Sequence, residues 1–81
     1  MIVPIVHNNG TSREELMRQL LGAHNAIYTT IEALAAAAPN SRDYHHTNNW
    51  LPARNEHIER MEAMRRIRDE VMEIAEGIAA Q

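Results

Sequence analysis

The chain has 81 residues, with eight Arg, eleven Asp plus Glu, no Lys, no Cys, no Phe and one Trp. Without cysteine there is no disulfide framework, thiol nucleophile or thiolate metal site, and a formal net charge of −3, spread along the chain, leaves no basic face able to displace counterions from duplex DNA. A fold of this length buries only about 60% of the surface its unfolded chain exposes, so one thin-cored domain that leans on further copies is the ceiling.

Residues 1–10 read as an arm and a turn. Met1–Val6 (MIVPIV) is apolar and β-branched, and Pro4 bars it from a helix interior or a central strand. It predicts an extended arm, too apolar for a free tail and suited to crossing between protomers. The run is far short of the ~20 apolar residues that span a bilayer, and no cationic stretch precedes it, so no membrane contact and a cytoplasmic location are expected. His7–Gly10 (HNNG) is turn chemistry, since Asn and Gly tolerate positive φ.

A first helix is predicted over 12–38. Thr11…Glu14 and Ser12…Glu15 are overlapping capping boxes. Met17, Leu20, His24, Ile27, Ile31, Leu34 and Ala38 then alternate in steps of three and four, a heptad seam that Leu21, Tyr28 and Ala35 widen. Pro39 stops it. A second helix is predicted over 52–80, with Pro52 in its first turn and Ile58, Met61, Met64, Ile67, Val71, Ile74 and Ile78 as its apolar face, led by Ala53 and His57. The interleaved Arg and Glu of this helix, Arg68 among them, read as a solvated exterior.

The fold class is therefore all-α: an antiparallel two-helix hairpin with a short extended N-terminal arm. In that pairing Leu34 lies near His57, Ile31 near Met61, Ile27 near Met64 and Leu20 near Val71. Seam burial of roughly 2 kcal/mol per residue falls short of a backbone entropy cost on the order of 1 kcal/mol or more for each ordered residue. The hairpins must pack together as a homo-oligomeric helical bundle.

The connector, residues 39–51, holds the chemistry. Structureless loops this long are usually functional or disordered, and this one is too aromatic for disorder. Arg42 and Arg54 are planar cations suited to phosphate. Tyr44 and Trp50 are faces for stacking, Asn48, Asn49 or His57 can read a base edge, and Asp43 and His45 complete the candidate ligand-binding set. The start of the second helix adds free N–H groups and a positive dipole end. The same residues also admit a structural role, in which Arg42 and Asp43 pair locally, Tyr44 and Trp50 plug the hairpin end, and the amides cap backbone. No catalytic, metal or cofactor constellation is visible. His45-His46 has no HExxH or Cys partner, Ser41, Asp43 and His45 lack triad geometry and an oxyanion hole, and Glu14-Glu15 and Asp69-Glu70 lack a facing ExxE/ExxD repeat.

HNNGTS (His7–Ser12), IEALAAAAPN (Ile31–Asn40), SRDYHH (Ser41–His46) and the ARNEHIERM…IRDEVMEIAEGI stretch together resemble a family of small phage and prophage proteins with HxNGTS near the start, PNGRDYY between two helices and EHxxR after them. The chain departs from that pattern at Ser41, where the family has Gly, and at His45, where it has a second Tyr. More loosely, in size, hairpin plan and a polar aromatic-and-Arg connector, it is similar to the phage anti-CBASS and anti-Thoeris sponges. That likeness implies a phage-encoded oligomer that sequesters a nucleotide-type immune signal, a cyclic oligonucleotide or an ADP-ribose derivative, without cleaving it. The alternative is an adaptor whose coiled-coil-like assembly binds a host or virion protein. Only the first needs Arg42, Tyr44, Arg54 and His57 to converge on one cavity.

Overall fold

Ser12 starts the first helix. In the computed structural model, which describes residues 1–81, the Glu15 amide donates to Ser12 Oγ at 3.1 Å, and α1 runs over Arg13–Ala36. The return half of the capping box is not made. Glu15 instead turns along the helix to accept from Arg18 at 2.5 and 2.9 Å and from Gln19 at 3.0 Å.

α1 ends two residues short of the predicted boundary. Pro39 disfavours α geometry at the residue before it, and the chain tightens ahead of it, with Ala37 N–H donating to the Leu34 carbonyl and Ala38 N–H to that of Ala35. The second helix, α2, spans Trp50–Ala79 and starts two residues earlier than predicted. Pro52 is its third residue, within the first turn, where a missing N–H costs no helical bond.

The two helices pair lengthwise into a rod of 63 × 20 × 16 Å. Its radius of gyration is 18.1 Å, against roughly 12 Å for a compact chain of this length. There is no strand, and no helix is long and apolar enough to cross a membrane. Only Ile31, Met61, Ala75 and Ile78 are buried.

On α1 the predicted seam holds: Met17, Leu20, His24, Ile27 and Leu34 are half-buried around Ile31. On α2 the frame differs. Trp50, His57, Met61, Met64, Arg68, Val71, Ala75 and Ile78 turn from solvent along one line, flanked by the half-buried Ala53, Ala63, Met72, Ile74 and Gly77, while Ile58 and Ile67 are exposed. His57–Met61–Met64–Arg68–Val71–Ala75–Ile78 alternates strictly in fours and threes. A frame through Ile58 and Ile67 repeats threes and drifts off the helix face. Arg68 therefore belongs to the seam, with its side chain 27% exposed and its guanidinium on Asp69 Oδ1 at 3.2 Å. A long stem can lie along an apolar seam while its head reaches water.

Residues 1–7 carry no helix or strand and lie against the end of α2. Gln81 holds them from both sides: its side-chain oxygen accepts from Val6 N–H at 2.8 Å and its amide donates to the Pro4 carbonyl at 2.5 Å. The Gln81 carbonyl in turn accepts from Arg13 Nη2, joining the start of α1 to the end of α2. Val3 rests on Gly77, where an added Cβ would come within 2.8 Å of it. Ile2 and Ile5 point to solvent.

The His7–Gly10 turn closes through Gly10 N–H on the His7 carbonyl at 3.2 Å, without positive φ at Gly10. An added Cβ at Gly10 would meet the exposed His7 ring, whose Nε2 lies 2.7 Å away, so a larger residue there displaces that side chain. The one left-handed residue in the chain is His46, φ 68°.

Candidate functional site

Asn40 shapes the connector. Its side-chain oxygen accepts from Arg42 N–H at 3.0 Å and its carbonyl from Asp43 N–H at 3.0 Å, nucleating a 3₁₀ turn over Ser41–Tyr44. Thr47 closes the next bend, its hydroxyl donating to the Tyr44 carbonyl at 3.0 Å and accepting from Asn49 N–H at 3.3 Å. These short side-chain-to-backbone bonds let His46 occupy its left-handed conformation, uncommon for a residue with a Cβ.

Among the predicted site residues, the structure brings Tyr44 and Trp50 together. Both are half-buried, with ring centroids 6.1 Å apart and planes tilted by 45°, within the range of favourable aromatic pairs. The pair seats the connector on the first turn of α2. His57 is half-buried in the seam, two turns further along. Arg42, Asp43, His45, Asn48, Asn49 and Arg54 are exposed. The local Arg42–Asp43 ion pair does not form, since the chain's ion pairs are Glu15–Arg18 and Arg68–Asp69. Arg42 and Arg54 are thus cations without a carboxylate partner. The His45 ring lies 3.9 Å from that of His46, tilted by 56°.

The N-terminus of α2 has Asn49 as its cap residue, but the Asn49 side chain makes no capping bond. The first bond of the helix is Ala53 N–H to the Asn49 carbonyl, so the amides of Trp50 and Leu51 have no protein acceptor. Together with Arg54 they form an exposed, electropositive corner beside the Tyr44–Trp50 pair.

The protomer's cavity lies elsewhere. It is an open groove of about 490 Å³ along the outer face of α2, between Glu62, Arg65, Arg66, Asp69, Glu70 and Glu73, with Met1 at its edge. Arg42, Tyr44, Arg54 and His57 do not line it. No group of three or more His, Asp or Glu side chains is arranged to hold a metal ion. Asn40 caps backbone, as the structural alternative for the connector amides expected, whereas sequence reasoning missed Arg68, legible from the strict four–three spacing of the seam.

The titratable group with a definite environment is Glu15. The hydrogen bond from Arg18 holds its carboxyl below the ordinary value of 4.5, and the same bond raises the Arg18 guanidinium. This pair belongs to the first turn of α1 and not to the connector. No known protein family, curated protein or solved structure matches the chain.

Proposed function

We propose that the protein is a non-enzymatic interaction module: a helical hairpin that works as a homo-oligomeric bundle and binds a further partner through the surface this assembly presents. One observation carries the reading. Four of 81 residues are buried and the protomer exposes 6065 Å², whereas a folded monomer of 9.2 kDa exposes about 4,900 Å². The difference, roughly 1,100 Å², comes with the rod shape, and the exposed surface includes Leu21, Tyr28, Leu51, Ile58, Ile67, Ile2 and Ile5. Chains that expose such surface cover it with partners. Ile2 and Ile5, held outward by the clamp that ties the arm to its own α2, add exposed apolar surface that a neighbouring copy would cover.

A second reading, sequestration of a nucleotide-type signal, draws on the two partnerless arginines, Arg42 and Arg54, flanking an ordered aromatic pair and the free amides of α2. It is weaker, since within one protomer Tyr44 faces Trp50 and no cavity joins these groups. It fits best where the connectors of several copies meet. The resemblance to phage and prophage proteins supports placing either activity in an infected bacterial cytoplasm.

A thermal-shift panel of cyclic di- and trinucleotides and ADP-ribose derivatives separates the two. A ligand at a hundredfold excess over its dissociation constant adds ~2.7 kcal/mol to the folded state, a rise of roughly 10 °C or more for a domain of this size. The interaction-module reading expects no shift. A shift erased by Arg42→Ala, with the unliganded melt unchanged, establishes the sequestration reading instead.

A further inference from the structure

Apolar residues that stay exposed or half-buried, Met72 among the latter, recur at one position of the hairpin repeat. Leu21, Tyr28 and Ala35 each follow an α1 seam residue by one step, after Leu20, Ile27 and Leu34. Leu51, Ile58 and Met72 each follow an α2 seam residue by one, after Trp50, His57 and Val71. In an antiparallel helix pair, residues in that position on both helices flank the same side of the seam. Together they form one broad face of the rod, with exposures of 41% at Leu21, 51% at Tyr28, 61% at Leu51 and 38% at Ile58. From Leu51 to Met72 the face is about 30 Å long at ~1.5 Å per residue, on a rod 20 Å wide. The opposite face carries one large exposed aliphatic on its helices, Ile67, and is broken by Arg60 and Thr30.

We propose that this face is the docking surface for a second copy of the chain, and that the two hairpins lie parallel, with their connectors at the same end. This rests on the assembly reading above and adds which surface is used and in what orientation. The area fits. At about 30 Å by 20 Å the face offers roughly 600 Å² per partner, the lower end of specific interfaces. The self-complementary pattern suits an isologous twofold contact.

The orientation follows from Arg65, the one charged residue in the row of sevens Leu51, Ile58, Arg65 and Met72. In the register that pairs Ile31 with Met61, Arg65 falls level with Tyr28 and Ile58 with Ala35. A twofold axis along the rod lays α1 of each copy over α2 of the other at the same level. Each Arg65 then meets the ring of Tyr28 in the other copy, a cation–π arrangement, and Ile58 meets Ala35. An axis across the rod through the middle of the face covers Arg65 with Ile58 and gives the cation no aromatic ring. The parallel arrangement also sets the Arg42 and Arg54 pairs of both copies side by side.

The test uses the full chain and light scattering on a size-exclusion peak. Tyr28→Glu and Ile58→Glu should bring the mass down to one protomer while Ile67→Glu leaves it at the wild-type value. Because a face variant could unfold, single-cysteine chains give a second measurement: Ile58→Cys should react with a maleimide more slowly than Ile67→Cys, and both should react fast on dilution to the protomer. Spin labels on Ser41→Cys should lie close together, far below the 63 Å rod length. If Ile58→Cys reacts as fast as Ile67→Cys in an assembled protein, or the Ser41 labels stand a rod length apart, the proposed face or orientation is wrong while assembly itself survives. If the wild-type chain runs as a folded protomer, the assembly reading fails with it.

Discussion

Replacing Ile78 and, separately, Ile67 by alanine tests the seam frame of α2. Both are isoleucines on one helix, and both substitutions gain the same few tenths of a kcal/mol in helix propensity, so that term cancels between them. Ile78 is fully buried, beside the Val3–Gly77 contact. Truncation removes three carbons at ~0.8 kcal/mol each, and the cavity left behind brings the cost to about 3 kcal/mol, within the usual range for such truncations. Ile67 is 42% exposed on the face opposite the proposed interface, and its truncation should cost less than about 1 kcal/mol. A chain of this size has on the order of 4–12 kcal/mol in total, so Ile78→Ala should lower the melting temperature by more than ~10 °C. Thermal and urea unfolding followed by circular dichroism, at one fixed protomer concentration, reads both. Equal losses, or a larger loss at Ile67, would refute the His57–Arg68–Ala75 seam and restore a frame through Ile58 and Ile67.

Gly22 is exposed in the interior of α1 with open space where a Cβ would be, so Gly22→Ala should stabilise by roughly 0.5–1 kcal/mol, read as a higher melting temperature with unchanged mass. At Glu15 the folded carboxyl titrates below its ordinary 4.5 because Arg18 donates to it. Its contribution to stability is therefore present above about pH 4.5 and fades as the pH falls through the lower folded value. Arg18→Gln should return the Glu15 titration, followed by NMR, toward the ordinary value. A Glu15 that titrates unchanged in that variant would contradict the contact.

The helices were legible because their signals are local. Ser12…Glu15 marked the start of α1, Pro39 its end and Pro52 the first turn of α2, and heptad spacing on α1 identified a seam the structure keeps residue for residue from Met17 to Leu34. The α2 seam was misread where hydrophobicity and spacing disagreed. His57 was expected inward and lies there, but Ile58 and Ile67, though more apolar than Arg68, lose the seam to it, and an arginine stem tolerates that position. The connector's composition pointed to an ordered segment, but its order comes from Asn40 and Thr47 bonding to backbone. The amides' chemistry allowed such capping, but which of them would do it depends on the path of the chain. The groove along Glu62, Arg65 and Asp69 was invisible for a related reason, since Met1 reaches it only through the clamp that Gln81 makes with Pro4 and Val6.

The mass of the wild-type protein in solution tests the central claim most directly. Light scattering across a size-exclusion peak at micromolar concentration, with helicity measured on the same fraction, should give at least twice the 9.2 kDa protomer mass. A fully helical species at 9.2 kDa, stable to further dilution, would mean that the hairpin folds with its apolar face open to water, and would contradict the account.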